Sequence, residues 1–371
     1  MIKVINILSD TNIGGAGRCL VNYLKYRDVA GFDVKVIVPR GSQLIPDILA
    51  TGTEVIEADG IADRSFCAEG VRSIIKILRK EKPDLVHTHG ALSGRIAARV
   101  CGAKIISTRH SAFPVPKKLQ KGPLHWLNGA VNFILADRII AVSPATAENM
   151  IQSGISPNII TVLGNGVAPI VRSDEASCDA MRQKWAIPDR VFTAGIPARL
   201  EVYKGHHLLL EAARELKQEG RDFRILIAGT GSEEDAIRRK IQQWDLSSHV
   251  VMMGFVQDIP TLLSIMDIQL NCSYESEACS LSIIEGLSMG VACVASRCSG
   301  NPWLVRDGVN GYLFENRDPH DLANKIRALM DEPAALRQLR AGALESYNSR
   351  FTAQIFAKNI ESLYLSTLSG K

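Results

Sequence analysis

The sequence Tyr274-Glu-Ser-Glu-Ala-Cys-Ser-Leu-Ser-Ile-Ile-Glu285-Gly-Leu-Ser-Met-Gly290 follows a short apolar run, Asp267-Ile-Gln-Leu-Asn-Cys272. The apolar run predicts a buried strand, and the apolar spacing between residues 280 and 289 predicts a helix packed on a sheet. Glu277 then lies in the loop between strand and helix, and Glu285 lies just inside the helix. Open parallel sheets bind ligands at the carboxyl ends of their strands. We therefore expect this loop to form part of a ligand site.

Two carboxylates beside a helix N-terminus suit a ligand that carries both hydroxyl groups and phosphate. Carboxylates accept hydrogen bonds from sugar hydroxyls, and the free amides of a helix N-terminus favour an anion. A sugar nucleotide has both groups. A second interpretation fits the same residues, because Ser282 and Glu285 match a capping box and Glu277 could be an ordinary exposed carboxylate. The rest of the chain must distinguish the two.

Apolar strands and helical stretches alternate along the whole chain, which predicts an α/β protein with parallel, doubly wound sheets. In the first half we expect strands at Val4–Leu8, Val34–Val38, Glu54–Glu57, Leu85–Thr88, Lys104–Ser107, Arg138–Val142 and Ile159–Val162, with helices at Gly17–Tyr26, Ser73–Glu81 and Ala145–Gln152. In the second half we expect strands at Phe192–Pro197, Arg224–Ala228, Val250–Met253, Ile268–Asn271 and Ala292–Ala295, with helices at His206–Gln218, Glu233–Trp244 and Asp318–Met330.

A chain of 371 residues suggests two domains. The turn Asn165-Gly-Val-Ala-Pro169 and the polar stretch after it place the boundary, so we expect an N-terminal domain over residues 1–168 and a second domain over 169–350, with a linker near 167–190. The helical pattern in residues 351–371 is long enough to pack back on the first domain. Two such domains facing each other would leave a central cleft, which is a preferred ligand site.

Composition excludes several classes of protein. The hydrophobic content of 46% and charged content of 22% are typical of a soluble globular chain, and no apolar run is long enough to span a membrane. The eight cysteines form no C-x-x-C pair, so we expect reduced residues and no zinc site. Residues 1–165 carry a net charge of +7 and the remainder −3. An anionic partner or membrane surface therefore suits the first half, which is not basic enough to indicate nucleic acid.

Glycine-rich and basic segments follow the predicted strands. Gly14-Gly-Ala-Gly17 opens the first helix, where glycines let the backbone approach a phosphate or sugar, although a plain tight turn would look the same. This segment is not G-x-G-x-x-G, which argues against a dinucleotide dehydrogenase. Arg199 and Lys204 follow the first strand of the second half and could clamp a diphosphate, or could be a solvated basic loop.

Other polar groups also follow strands. Gly229-Thr-Gly231 and Gly254-Phe-Val256 end two strands of the second half, and the backbone at Val256 could meet a nucleobase. His89 and His110 end two strands of the first half and are candidates for substrate contact. A lone histidine is more often structural, but two at adjacent strand ends fit a functional role as well as a structural one.

The ordered set of these segments resembles the retaining GT-B glycosyltransferases of family 4, also called group 1 glycosyltransferases, over nearly the full length. The segments that carry the resemblance are Gly14-Gly-Ala-Gly-Arg, His87-Thr-His-Gly, Asn165-Gly-Val, Arg199-x4-Lys204-Gly, Gly229-Thr-Gly, Gly254-Phe-Val, Glu277-x7-Glu285 and Arg306-Asp-Gly-x-Asn-Gly311. The resemblance implies a GT-B fold, in which two Rossmann-like domains face a central cleft and a C-terminal helix crosses back to the first domain.

The resemblance also implies a role for each matching position. Arg199 and Lys204 would bind the donor diphosphate, Glu277 and His110 would lie near the transferred sugar, and these four form the expected catalytic group. Donor contacts are expected from the ribose-binding Glu285, from the backbone at Val256, and from Gly15, Cys279, Ser280 and Leu281. Gly14 and His89 are expected on the acceptor side of the cleft.

Two positions depart from the family pattern. The loop after Glu277 usually begins with a glycine and a bulky residue, where this chain has Ala278-Cys279, and Trp303 stands where family members often carry Glu. Both positions lie near the donor sugar in such folds, so the identity of the sugar does not follow from the resemblance.

We expect sugar transfer with retention of configuration from a UDP- or GDP-linked donor, without a metal or other cofactor. The sequence has no D-x-D cluster to hold a bridging cation, and Arg199, Lys204 and a helix N-terminus could stabilise the leaving diphosphate. Two alternatives remain open: a sugar-nucleotide epimerase of the same fold, and a binding protein that has lost catalysis. The second alternative is disfavoured by the presence of Arg199, Lys204, Glu277 and Glu285.

The acceptor is only indirectly indicated. The stretch Pro116-Lys-Lys-Leu-Gln-Lys121 precedes Leu124-His-Trp126-Leu127, and such segments can rest on anionic lipid headgroups. A solvated loop beside a packed helix explains the same residues. The first interpretation predicts a glycan or lipid-linked glycan acceptor in envelope or exopolysaccharide synthesis, a cytoplasmic location at the inner face of the plasma membrane, and no nucleic-acid partner.

Overall fold

The computed structural model describes residues 1–370, which form two compact units. One unit contains Met1–Ala168 together with the segment that begins at Phe351, and the other contains Pro169–Arg350. Each unit has a parallel β-sheet with helices on its faces. The expected α/β class with two doubly wound domains is confirmed.

The first unit is built on a seven-stranded parallel sheet with the order β3-β2-β1-β4-β5-β6-β7. Its strands are β1 (Ile2–Leu8), β2 (Phe32–Pro39), β3 (Glu54–Ala58), β4 (Leu85–His89), β5 (Lys104–Arg109), β6 (Arg138–Ala141) and β7 (Ile160–Val162). Its helices up to the boundary are α1 (Gly15–Tyr26), α2 (Ile45–Leu49), α3 (Ala68–Glu81), α4 (Leu92–Val100), α5 (Lys117–Gln120), α6 (Pro123–Leu135) and α7 (Pro144–Gln152).

The second unit is built on a six-stranded parallel sheet with the order β10-β9-β8-β11-β12-β13. Its strands are β8 (Phe192–Pro197), β9 (Phe223–Ala228), β10 (Val250–Gly254), β11 (Ile268–Asn271), β12 (Ala292–Ser296) and β13 (Gly311–Phe314). Its helices are α8 (Glu175–Lys184), α9 (His206–Gln218), α10 (Glu234–Gln243), α11 (Ile259–Ser264), α12 (Leu281–Ser288), α13 (Asn301–Leu304), α14 (Pro319–Asp331) and α15 (Pro333–Arg350).

The last helix, α16 (Ala353–Ser369), belongs to the first unit. Thr352 caps it by accepting a hydrogen bond from the amide of Ile355, and the backbone of Val167 bonds both Phe351 and Ala353. Its buried face packs against α1, where the rings of Tyr364 and Tyr23 meet edge to face at 6.1 Å. The expected C-terminal helix on the first domain is thus present.

Both sheets reverse their strand order at one point, and this point positions the site. In the first sheet the reversal lies between β1 and β4, and in the second it lies between β8 and β11. The connections after these neighbouring strands leave in opposite directions, which opens a crevice at their carboxyl ends. The central strands are almost wholly buried because helices cover both faces of each sheet, whereas the edge strands β3 and β7 are partly exposed.

Residues 175–184 fall within the segment predicted as a linker but form helix α8. The side chain of Asp174 accepts a hydrogen bond from the amide of Ser177 and caps the helix. Cys178 is buried, and Met181 and Trp185 pack in the same apolar cluster of the second unit. The three apolar positions recur at helical spacing, but the polar residues between them hide the pattern in the sequence.

No helix in the described part of the chain combines the length and the apolar character needed to cross a membrane.

Candidate functional site

The carboxyl ends of β8 and β11 bring Lys204 and Glu277 together in the second unit. Lys204 ends a short 3₁₀ turn, Val202–Lys204, before α9, and Glu277 lies in the loop between β11 and α12. The Nζ atom of Lys204 donates to Oε2 of Glu277 at 2.6 Å, and their side chains are 16% and 11% exposed. A charge pair this sheltered from water is strong because solvent screens it little.

Two further donors fix the Glu277 carboxylate. Oε2 accepts hydrogen bonds from Nδ2 of Asn271 at 3.2 Å and from Oγ of Ser273 at 2.9 Å. Asn271 ends β11 and Ser273 is the second residue of the following loop, so both donors lie at the strand end. None of these bonds uses Oε1, which leaves that oxygen to accept a hydrogen bond from a ligand hydroxyl.

Glycines allow the loops of this site to lie against one another. Gly205 has a φ of +71°, and a Cβ there would clash with the carbonyl oxygen of Cys272. A Cβ at Gly300 would clash with the carbonyl oxygen of Ala278, and the amide of Gly300 donates to the carbonyl oxygen of Glu277 at 2.8 Å. Substitution at either glycine should displace the loop that carries Glu277.

Arg199 lies in the same connection as Lys204 but is exposed. Its Nη2 atom donates to the hydroxyl of Tyr203 at 2.9 Å, and the Lys204 ammonium lies 5.4 Å from the centre of the Tyr203 ring. The structure therefore gathers both predicted basic residues around Tyr203 at the end of β8. Arg199 can turn its remaining N–H donors toward an anion.

Helix α12 begins at Leu281, and its N-cap is Ser280. The Oγ atom of Ser280 accepts a hydrogen bond from the amide of Ile283 at 3.4 Å. Ser282 therefore lies inside the first turn, and the capping box predicted for Ser282 and Glu285 is wrong because the helix starts two residues earlier than such a box requires. Glu285 is the fifth residue of the helix and is partly exposed.

The other donor-side candidates lie around this helix start and at the edge of the sheet. Cys279 and Ser280 are buried, and Leu281 is partly exposed. Val256 follows β10, which the sheet order separates from β8 by one strand. The structure thus groups Cys279, Ser280 and Leu281 with Glu277, whereas Val256 follows a strand at the outer edge.

Three histidines of the first unit lie in contact at the ends of β4 and β5. The rings of His87 and His89 stack with centres 4.5 Å apart, and those of His89 and His110 stack at 5.3 Å. Nδ1 of His89 is 3.0 Å from Nε2 of His110, and Nε2 of His89 is 3.2 Å from Oδ1 of Asn6. With Asn6 Oδ1 as acceptor, His89 accepts the Nε2 proton of His110, which leaves a lone pair on Nδ1 of His110.

Burial keeps these histidines neutral. It lowers the pKa of His110 to about 4 and, together with the charge of His110, that of His87 to about 3. The pKa of His89 is lowered well below its usual range, first by burial and then by His87 and His110. At neutral pH His110 is therefore a hydrogen-bonding group and not a cation.

Gly14 and Gly15, in the glycine segment after β1, have open space around them where Gly17 does not. A Cβ at Gly17 would clash with the side chain of Leu44, so packing alone requires this glycine. A Cβ at Gly15 would meet no atom within 4 Å, and one at Gly14 would meet only Asp10, at 3.8 Å. Packing does not demand glycine at these two positions, and their role as ligand-side residues stays a prediction.

The departures from the family pattern adjoin the same loop. The guanidinium of Arg350 stacks on the ring of Trp303 at 5.0 Å and donates to its carbonyl oxygen at 3.0 Å. Burial, followed by the charge of Arg306, lowers the pKa of Arg350, and Cys279 lies near enough to affect it. The Trp303 ring and the Arg350 guanidinium therefore lie beside the segment that holds Cys279.

Sequence reasoning missed three residues that hydrogen-bond to the predicted site residues. Asn271 and Ser273 bind Glu277, and Asn6 binds His89. Asn271 and Ser273 stand beside the predicted strand end, so their place in the chain was a usable signal. Asn6 lies inside an apolar strand, where a lone polar residue is the signal of a buried hydrogen bond. Within residues 1–370, no group of three or more His, Cys, Asp or Glu side chains is arranged to hold a metal ion.

Two family profiles match consecutive parts of the chain. The family described as Glycosyltransferase Family 4 matches residues 13–169, and the family described as Glycosyl transferases group 1 matches residues 178–345. The chain is also 28% identical over 349 residues to the UDP-Gal:alpha-D-GlcNAc-diphosphoundecaprenol alpha-1,3-galactosyltransferase of Escherichia coli. The aligned region covers 89% of this chain and 88% of that protein.

Two solved structures are similar over the full length. The glycosyltransferase of Rickettsia africae has a TM-score of 0.86 at 22% identity and covers 100% of this chain and 99% of its own. HepE of Anabaena, solved in complex with UDP-glucose, has a TM-score of 0.83 at 21% identity and covers 99% of this chain and 100% of its own. At these sequence identities the two similarities show the fold alone.

Proposed function

Because this chain belongs to the group 1 glycosyltransferases and has the GT-B fold, we propose that it transfers a hexose or N-acetylhexosamine from a nucleoside-diphosphate sugar to a hydroxyl acceptor, with retention of anomeric configuration. It is a glycosyltransferase of glycan synthesis, like its Escherichia coli relative. The observation that carries the finer proposal is the Lys204–Glu277 pair at the strand reversal of the second sheet.

On the donor side, Arg199 and Lys204 bind the diphosphate of the nucleotide sugar. As the bond between the anomeric carbon and the diphosphate breaks, its electron pair goes to the phosphate oxygen. The two cations and the amides at the start of α12 stabilise that charge, and each donor contributes about 3 kcal/mol to lowering the barrier. The reaction then needs no metal ion and no cofactor besides the sugar nucleotide.

Glu277 orients the transferred sugar, and Glu285 binds the ribose. Asn271, Ser273 and Lys204 hold Oε2 of Glu277, so Oε1 can accept a hydrogen bond from a sugar hydroxyl without reorganising. The acceptor hydroxyl attacks the anomeric carbon on the face that the diphosphate leaves. Its proton passes to the departing phosphate oxygen, which explains how the reaction proceeds without a protein base.

In the first unit, neutral His110 is proposed to contact the transferred sugar, with His89 and Gly14 on the acceptor side. The Escherichia coli relative is named for an acceptor linked to diphosphoundecaprenol, which supports a glycan or lipid-linked glycan as acceptor here. HepE was solved with UDP-glucose, which supports a UDP-sugar ahead of a GDP-sugar as donor. Such substrates support a cytoplasmic location at the inner face of the plasma membrane as part of the proposal.

A panel of UDP-, GDP- and ADP-sugars tests this proposal. Isothermal titration should identify one binding nucleotide, and release of its diphosphate should accelerate when a glycan acceptor is added. Proton NMR of the product should show the donor's anomeric configuration. A product whose transferred sugar has the opposite anomeric configuration would contradict retention. Rapid nucleotide release with a changed sugar and no acceptor would indicate an epimerase, and absence of binding to every donor would indicate a protein without this activity.

A further inference from the structure

Helix α6 of the first unit presents its apolar residues to solvent. Its exposed side chains include Leu124, Trp126, Leu127, Phe133 and Ile134, with fractional exposures of 47%, 76%, 58%, 64% and 58%. None of the helix's thirteen residues is buried. An ordinary surface helix would turn these side chains toward the core.

The polar residues of the same helix face the protein. Nδ2 of Asn128 donates to the carbonyl oxygen of Ser153 at 2.7 Å, and Oδ1 of Asn132 accepts from Nη2 of Arg95 at 3.0 Å. Gly129 lies between them, and a Cβ there would clash with the backbone of Gly154. The helix is therefore fixed by polar contacts on its inner face, and its apolar outer face is a stable feature of the surface.

Positive charge surrounds this outer face. Lys117, Lys118 and Lys121 precede the helix and are exposed, and within residues 1–370 none of the three has a carboxylate partner within ion-pair distance. The sequence from residue 85 to residue 136 contains seven Lys and Arg and no Asp or Glu. An occupant of this face must therefore offer both an apolar phase and negative charge.

We propose that the outer face of α6 and the three lysines before it form a docking surface for an anionic lipid bilayer. Trp126 and the neighbouring apolar side chains enter the region between headgroups and acyl chains, while the lysines contact the anionic headgroups. A second copy of this chain fits less well, because it would bring the same unpaired positive charge to the contact. The proposal rests on the proposed function only in explaining how a lipid-linked acceptor would be reached.

Co-sedimentation of the full chain with vesicles tests this surface. We expect binding to vesicles of phosphatidylcholine mixed with phosphatidylglycerol, and little binding to phosphatidylcholine alone. Each lysine contributes about fivefold to such partitioning, so the Lys117→Gln, Lys118→Gln, Lys121→Gln triple variant should bind roughly a hundredfold more weakly. The matched control is a triple Gln variant at Arg72, Lys76 and Arg79, exposed cations of α3, which should bind like the native protein.

Apolar insertion needs its own readout. Brominated lipid should quench a tryptophan signal in the native protein that is missing in Trp126→Phe. The native protein should keep part of its vesicle binding at high salt, and the Trp126→Ser, Phe133→Ser variant should lose this part. Val29→Ser, at another exposed apolar residue, should keep it.

Three results would overturn the proposal: no binding to anionic vesicles, equal binding to both vesicle types, or a native dimer in light scattering that Trp126→Ser, Phe133→Ser dissociates without any vesicle binding. Donor hydrolysis measured without vesicles should be unchanged in the triple lysine variant. Absence of vesicle binding by a native protein that still hydrolyses the donor would therefore contradict this proposal alone, and vesicle binding by a native protein without any transfer activity would contradict the proposed function alone.

Discussion

The Nζ atom of Lys204 donates a 2.6 Å hydrogen bond to Oε2 of Glu277, although the two residues are 73 positions apart in the chain. They meet because β8 and β11 are neighbours in the sheet while the intervening chain forms β9 and β10 on the other side of β8. Lys204 and Glu277 were expected to serve the diphosphate and the sugar separately. The bond couples the two roles, so a change at one residue should alter the other.

Glu277→Gln should lower turnover at least tenfold without weakening the binding of free nucleoside diphosphate. The substitution removes a negative charge beside Lys204, and the freed ammonium attracts phosphate at least as well as before. The sugar, however, loses its charged hydrogen-bond acceptor. Titration calorimetry and steady-state rates measure the two effects. Glu275→Gln, at an exposed neighbour, is the matched control, and clearly weaker UDP or GDP binding in Glu277→Gln would contradict the coupling.

Glu285→Gln should weaken nucleoside diphosphate binding through the ribose. The variant should bind UDP or GDP more weakly than the native protein does, because the neutral amide oxygen that replaces the carboxylate is a weaker acceptor for the ribose hydroxyls. The corresponding 2′-deoxynucleotide should lose less affinity in the variant than UDP or GDP does. Ser280→Ala provides the contrast, since loss of the α12 cap should lower stability by about 1 kcal/mol. If Glu285→Gln binds UDP and GDP with the same affinities as the native protein does, Glu285 does not bind the ribose.

Acid should destabilise the first unit through its histidines. The pKa of His110 falls to about 4 and that of His87 to about 3 in the folded protein, below the usual value of 6.5. The unfolded chain therefore takes up protons first, so stability is full above pH 6.5 and is lost as the pH falls toward 4.

Calorimetric melting between pH 7 and pH 4.5 checks this expectation. His110→Asn removes one of these groups and should reduce the fall in melting temperature. His320→Asn is the control, because the Glu215 carboxylate raises rather than lowers the pKa of the exposed His320. An identical pH dependence in the native protein and His110→Asn would show that His110 is not held neutral by the fold.

Activity should survive treatment with EDTA. Arg199, Lys204 and the α12 amides supply the positive charge that a bridging cation would otherwise provide. Rates with and without the chelator, measured on dialysed protein, should agree within experimental error. Complete loss of activity that Mg²⁺ or Mn²⁺ restores would overturn the metal-free mechanism.

The sheets could be predicted from the sequence because most of their strands are short, apolar and buried on both faces, although the edge strands β3 and β7 are partly exposed. β8 and β11 match their predicted limits, and most other strands differ by one or two residues. Elements whose polar residues mask the apolar spacing were missed, as in α8 and in the 18-residue helix α15. The strand β13 was also missed, because a glycine opens it and polar residues flank it on both sides, which is typical of a loop.

The candidate site was readable as positions at strand ends but not as a set of contacts. Glu277 and Lys204 were each identified, yet their bond depends on which strands are neighbours, and strand order is not encoded in local spacing. The capping box failed for a related reason, since either Ser280 or Ser282 could start the helix and only packing decides. Similarly, Asn6 joins His89 through sheet pairing that the sequence does not display.

The most direct test of the account is calorimetric titration of UDP and GDP into the native protein, Arg199→Ala, Lys204→Ala and Lys217→Ala. Lys217 forms an exposed ion pair elsewhere in the second unit and serves as the matched control. We predict that one nucleotide binds the native protein and the control equally, that Arg199→Ala and Lys204→Ala bind it more weakly, and that both lose at least a hundredfold in turnover while still folding. The melting temperature should fall in Lys204→Ala, because Glu277 is left without its charged partner. Unchanged affinity and turnover in both variants would contradict the assignment of this strand end to the donor diphosphate.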